Sequence, residues 1–208
     1  NLVAEASFTS CEKLFKVLIL GDQSVGKTSY VQRYVGNTFA KDYKETVGVD
    51  FAVKVLKLLD ATVALQLWDI AGQEIFTWMT RIYCKNSHGC VIMFDLSNRS
   101  TLNNAIRCKK EVVDSNCTAP EGKKFPCILI ANKCDILDSE KEVTQAEIEQ
   151  IYREHEFSGW TKTSVKNGFM VNESLRYLTT LMLQGGDSIE PSENITLTVP
   201  ESSTRKCY

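Results

Sequence analysis

No apolar run in this chain approaches the roughly 20 residues that span a bilayer. The first residues also lack the charged-then-apolar order of a secretory signal, so the sequence reads as soluble and cytosolic. Neither sign of charge dominates: 24 Lys and Arg against 26 Asp and Glu leave a formal net charge of −2. That balance predicts no bulk attraction to nucleic acid or to anionic lipid. Paired cysteine spacing is missing too. Cys11, Cys84, Cys90, Cys108, Cys117, Cys127, Cys134 and Cys207 are scattered without a C-x-x-C pair for zinc, and are expected as reduced, mostly buried thiols. The two histidines, His88 and His155, have no ligand-spaced partners, and no internal repeat is present. At 208 residues and 43% apolar content, one domain with tails is expected.

What is present starts with Gly21-Asp22-Gln23-Ser24-Val25-Gly26-Lys27-Thr28, which fits G-x-x-x-x-G-K-[ST]. The apolar run Leu14-Phe15-Lys16-Val17-Leu18-Ile19-Leu20 before it reads as a buried strand, and residues 28–34 continue as helix, the context the motif requires. Gly21 and Gly26 allow loop conformations closed to residues with a Cβ, turning backbone N–H groups inward as a phosphate cradle. Lys27 is expected at the β/γ-phosphates, the Thr28 hydroxyl on Mg²⁺, and the helix start adds its positive dipole end.

Further along, residues 49–58 and 63–68 are β-rich around a hairpin connection at 59–62, and residues 71–85 read as a loop leading into an imperfect helix. Residues 90–95 and 127–131 are uninterrupted apolar runs, the pattern of strands covered on both faces. Helical stretches are expected at 101–115, 144–155 and 172–183, with a short strand near 160–163, and Thr144 with Glu147 forms a capping-box pattern. Alternating strands and helices imply a parallel sheet with helices on both faces, and ligands at the carboxyl ends of the strands. Residues 1–13 read as a loose leader, 14–184 as the folded domain, and 185–208, rich in Ser, Glu, Pro, Asn and Thr, as a flexible tail.

A phosphate cradle alone does not separate kinases, ATPases and GTPases. Asp69-Ile70-Ala71-Gly72-Gln73 supplies an Asp placed to hold an Mg²⁺ water, a Gly whose N–H can meet a γ-phosphate, and a Gln. Asn132-Lys133-Cys134-Asp135 ends the fifth strand, where the Asp135 carboxylate can accept from the N1–H and 2-amino group that guanine has and adenine lacks. Thr163-Ser164-Val165-Lys166 follows the last strand and offers a backbone N–H to the guanine O6.

These residues resemble the Ras-superfamily small GTPases, and within them the Rab proteins, over residues 14–183. The Rab-like stretches are Thr46-Val47-Gly48-Val49-Asp50-Phe51, Leu65-Gln66-Leu67-Trp68-Asp69 and the trio Phe51, Trp68 and Tyr83. Asp69-Ile70-Ala71-Gly72, Met79-Thr80-Arg81-Ile82-Tyr83 and Phe157-Ser158-Gly159-Trp160 look like the branch serving lysosomes and lysosome-related organelles. The resemblance implies an α/β fold: one P-loop GTPase domain on a six-stranded, mostly parallel sheet with one antiparallel edge strand. It implies nucleotide contacts from residues 23–29 (including Ser29), Phe39, Thr46, Gly72, Asn132, Lys133, Asp135, Ser164, Val165 and Lys166. Mg²⁺ would be held by Thr28, Thr46 and Asp69, with Gln73 catalytic. GTP and GDP would be the bound nucleotides, and Phe51, Trp68 and Tyr83 the surface that effectors read. Further implied partners are an exchange factor, a GTPase-activating protein and, if the chain is prenylated, a GDP-dissociation inhibitor or escort protein. The implied function is a switch in vesicle trafficking, cytoplasmic with peripheral association to endosomal, lysosomal, lysosome-related or Golgi membranes. The rival reading is a GTP-binding interaction module with negligible turnover.

Three positions depart from the Rab pattern: Gln23 in the phosphate loop, Ile75 where an Arg normally follows Gln-Glu, and Val165 in place of Ala. The chain ends Arg205-Lys206-Cys207-Tyr208, with one Cys and no C-a-a-X spacing. Cys207 is therefore either a single lipid anchor giving weak, reversible binding or an unmodified residue.

Overall fold

The computed structural model describes residues 13–39, 46–57, 62–119 and 123–185. Six strands, β1 (Lys13–Gly21), β2 (Val49–Lys57), β3 (Thr62–Ile70), β4 (Gly89–Asp95), β5 (Cys127–Asn132) and β6 (Gly159–Lys162), form one sheet in the order β2-β3-β1-β4-β5-β6. β2 runs antiparallel to β3, with Phe51 opposite Trp68, and every other pairing is parallel. The uninterrupted apolar runs of β4 and β5 are buried along their whole length, as strands covered on both faces must be.

Helices α1 (Lys27–Gly36) and α6 (Val171–Leu183) close one face. Tyr30, Val31 and Tyr34 of α1 pack there with Leu175, Leu178 and Met182 of α6 over Val17, Ile19, Val91 and Ile130. On the other face lie α2 (Thr80–Cys84), α3 (Arg99–Cys108) and α5 (Gln145–Glu154), with Leu18, Leu20, Ile92 and Phe94 meeting Leu102, Ala105 and Ile148. The 101–115 helix expected from periodicity is interrupted: α3 passes into a π-turn (Lys109–Val113) and then α4 (Asp114–Asn116). Lys109 is buried in that turn and ion-paired with Asp114. A widened turn lets the lysine reach its partner without leaving the core face.

The Thr144 capping box forms as expected, Thr144 Oγ1 accepting from Glu147 N–H while the Glu147 carboxylate accepts from Thr144 N–H at 2.8 Å. Cys84, Cys90, Cys108, Cys117, Cys127 and Cys134 are buried thiols outside any disulfide. Cys11, Cys207, residues 59–61 of the expected hairpin connection at 59–62 and the segment 40–45 lie outside the described residues, while Thr62 opens β3. Among the described residues, no helix is long and apolar enough to cross a membrane. Strand addition reverses direction at β1, which places the strand carboxyl ends, and the loops after them, around one crevice.

Candidate functional site: a cavity at the carboxyl ends of the strands

That crevice is a cavity of about 870 Å³. Its floor is the loop between β1 and α1. Gly26 caps α1 with φ 104° and no side-chain cap, so the first-turn N–H groups stay available and the positive dipole end opens into the cavity. A Cβ at Gly26 would stand 2.4 Å from Asn132 Nδ2, so glycine is required there both by conformation and by space. Lys27 is buried and arches back to donate to the Asp22 carbonyl at 2.7 Å. Burial pushes its ammonium pKa down, with Asp69 and Asp22 opposing.

At one end of the cavity the Thr28 and Thr46 hydroxyls meet, with the Asp69 carboxylate behind them. Thr28 Oγ1 donates to Asp69 Oδ2 at 2.5 Å and lies 2.6 Å from Thr46 Oγ1. Asp69 is 2% exposed, and burial raises its carboxyl pKa despite the Thr28 hydrogen bond and Lys27. Among the described residues, only Asp69 Oδ1 and Trp68 Nε1 are buried side-chain polar atoms without a hydrogen-bond partner. An oxygen-only cluster with an orphaned carboxylate oxygen fits a hard divalent cation such as Mg²⁺. Gly72 closes this end against the phosphate loop; a Cβ on it would be 2.5 Å from Gln23 N.

At the other end the Asn132 side chain joins three segments. Its Nδ2 donates to the Val25 carbonyl at 2.8 Å, while its Oδ1 accepts from Thr163 Oγ1 at 3.0 Å and Val165 N–H at 3.2 Å. Asp135 Oδ1 accepts from Ser164 Oγ at 2.6 Å, and Lys166 Nζ stands 3.9 Å from its Oδ2. Lys133, in a left-handed conformation with φ 65°, pairs with Asp95 at 2.5 Å.

Gln23, Ser24, Gly26, Lys27, Thr28, Ser29, Phe39, Thr46, Gly72, Gln73, Asn132, Lys133, Asp135, Val165 and Lys166 all line this cavity, as their motifs anticipate. Val25, Ser164 and Asp69 do not: all three are buried, Val25 in the core under α1, Ser164 behind Asp135, and Asp69 beside an adjoining pocket of about 260 Å³ that Thr28 also lines. The first can offer its backbone, and the second acts through the carboxylate it orients. Gln32, Val47, Val49, Asp50, Ala71 and Ile136 line the cavity unforeseen. Their one signal is adjacency to motif residues.

Phe51, Trp68 and Tyr83 form a continuous aromatic cluster, with ring centroids 5.8 Å and 6.4 Å apart and the Lys16 ammonium 3.9 Å above Trp68. Phe51 is 63% exposed, whereas Trp68 and Tyr83 are half-buried. Ile75, where an Arg normally follows Gln-Glu, is 2% exposed and packs into the core beside Cys84 and Ile70. Val165 likewise turns part of its bulk into the core on the α1 face.

Residues 16–184 match the model of the Ras family. The chain belongs to the Ras family. Its relatives within that family include the human Ras-related protein Rab-7L1, 51% identical over 176 residues, or 84% of this chain and 85% of that protein. Mouse Ras-related protein Rab-32 is 43% identical over 195 residues, 93% of this chain and 86% of its own. Ras-related protein Rab-32A of Dictyostelium discoideum is 39% identical over 168 residues, 80% and 77% of the two chains. The chain is thus a Rab-type small GTPase, and family members of this kind bind GTP and GDP with Mg²⁺.

Proposed function

We propose that this Ras-family chain is a slow, activator-dependent GTPase timer that recruits trafficking effectors in its GTP state. The observation that carries this reading is one cavity with the Asp135 carboxylate at one end and, at the other, the Thr28 and Thr46 hydroxyls backed by the Asp69 carboxylate. Asp135, with Oδ1 held by Ser164, would accept from the guanine edge; adenine offers no matching donors. Thr28, Thr46 and Asp69 would hold Mg²⁺, which when bound neutralises charge on the β- and γ-phosphates. Lys27 and the uncapped N–H groups of α1 add positive potential at the same phosphates. Gln73, on the cavity wall, would orient the attacking water.

Thr46 and Gly72 lie at the phosphate end, one beside the oxygen cluster and the other against the phosphate loop. Their hold on the two switch segments would tighten with a γ-phosphate and relax without it, assembling or releasing the surface around Phe51, Trp68 and Tyr83. The lysosome-related branch, peripheral attachment to endosomal or lysosomal membranes, and modification at Cys207 belong to the same proposal and rest on the resemblance.

A second reading, a GTP-locked interaction module with negligible turnover, is favoured by one feature. Gln23 lines the cavity and its backbone abuts Gly72, so a long polar side chain stands near the water-orienting Gln73. Single-turnover phosphate release with and without a Rab-type activating protein separates the two. The timer predicts stimulation on the order of 10³-fold or more from a supplied arginine, suppressed in Gln73→Leu. No stimulation, with an unchanged Gln73→Leu rate, supports the locked module.

A further inference from the structure

Arg33 sits in the last turn of α1, a place where a cation reads from sequence as a solvated residue complementing the helix dipole. The fold gives its guanidinium other partners. Nε donates to the Val165 carbonyl at 2.9 Å and Nη2 to the Lys166 carbonyl at 2.6 Å, so one planar fork holds two successive peptide groups of the loop after β6. Nη1 reaches the Asn37 carbonyl at 3.4 Å, and the guanidinium carbon lies 5.7 Å from the centroid of the Phe39 ring.

The loop that Arg33 grips is otherwise closed at its own base. Ser164 and Phe169 exchange backbone hydrogen bonds at 3.0 and 3.2 Å, Asn167 N–H donates to Ser164 Oγ, and the same Oγ donates to Asp135. Displacing the loop therefore displaces the support of Asp135. Gly168, whose φ of 78° favours glycine, carries the turn over the arginine stem, where a Cβ would make only ordinary contact with Arg33 Cδ at 3.6 Å.

We infer that Arg33 is a positioning residue for base recognition, fixing the Ser164–Lys166 loop and backing the Phe39 ring, and that it sets how long the base end retains a guanine nucleotide. The inference rests on the guanine-nucleotide reading of the cavity. Arg33 would act through the groups that meet the base, from outside the cavity. A guanidinium is suited to this because its donors are coplanar and permanently charged, whereas a lysine ammonium is a point charge that cannot serve both carbonyls in one plane.

The test measures release of a fluorescent GDP into excess unlabelled GDP, and competition by IDP, whose base lacks the 2-amino group, for the full chain and for Arg33→Ala and Arg33→Lys. Arg33→Ala should release GDP about tenfold faster or more, the loss expected of a charge-assisted hydrogen bond. It should also narrow the preference for GDP over IDP, because a loosened loop weakens Asp135 recognition more than phosphate binding. Arg33→Lys should recover part of the residence time. Chelation of Mg²⁺ should accelerate release by the same factor in all three, since the oxygen cluster lies at the opposite end. Release within twofold of the wild type in both variants overturns the inference, and so does an acceleration equal for GDP and IDP. If Arg33→Ala does not fold, Arg33→Lys decides by the same two measurements. A wild-type chain that retains no GDP overturns the nucleotide reading and this inference together; retention equal in all three chains overturns the inference alone.

Discussion

The two ends of the cavity are built on opposite plans. At the base end every polar group of Asn132 already has a protein partner, and that one side chain ties the β1–α1 loop to the loop after β6. At the phosphate end Thr28, Thr46 and Asp69 lean on one another around a buried carboxylate oxygen that has no partner. A satisfied network is part of the folded structure whatever is bound, while an orphaned buried carboxylate is a standing cost that a ligand can remove. The contrast suits the proposed switch: recognition of the base would stay constant, and the end proposed to sense the third phosphate would gain its order from what binds there.

The largest expected effect is on specificity at the base end. Asp135→Asn exchanges an acceptor-only carboxylate for an amide, which should shift preference from guanine toward xanthine nucleotides by on the order of 10⁴-fold, read from displacement titrations with GDP and XDP. An unchanged ratio would mean that Asp135 does not meet the base and would remove one side of the contrast.

Next is Asn132→Ala, which strands the Val25 carbonyl, the Thr163 hydroxyl and the Val165 N–H in a buried site. The loss should be about 3 kcal/mol of stability. For a chain of this size that lowers the melting temperature by roughly 6–12 °C, measured in EDTA without nucleotide. A negligible change would show that the base end is no more preformed than the other.

The smallest structural effect should come from Thr46→Ala at the phosphate end. Among the described residues the Thr46 hydroxyl meets Thr28, on a half-exposed residue, so stability without nucleotide should move by no more than about 0.5 kcal/mol. Yet the preference for GTP over GDP in Mg²⁺ should fall by about tenfold, the scale of one charge-assisted contact. A large melting shift with an unchanged nucleotide preference would reverse the roles assigned to the two ends.

The motif residues were legible because their chemistry depends on spacing along the backbone. Gly26, Lys27 and Thr28 are neighbours on one strand–loop–helix turn, and any chain that makes this turn brings them together. Apolar runs without alternation likewise identified β4 and β5 as interior strands, and Thr144 with Glu147 marked a helix start from side chains three residues apart. Less legible was direction within a motif. Val25 and Ser164 lie inside recognition segments but point into the core and behind Asp135, because a loop that lines a cavity with some side chains must anchor itself with others.

The sequence by itself determined the strand and helix order, the phosphate loop, the capping box and the carboxylate proposed to meet the base. Each follows from periodicity or from hydrogen-bonding geometry that acts over a few residues. Tertiary structure decided the rest. Ile75, standing where an Arg is usual, became core, a π-turn let the buried Lys109 reach Asp114, and Gly72 acquired its need for glycine from the Gln23 backbone. Arg33 met carbonyls that follow it by more than 130 positions. Such contacts are set by how the sheet orders its strands and which face each helix covers, and no local pattern records a distance between segments that only the folded chain brings together.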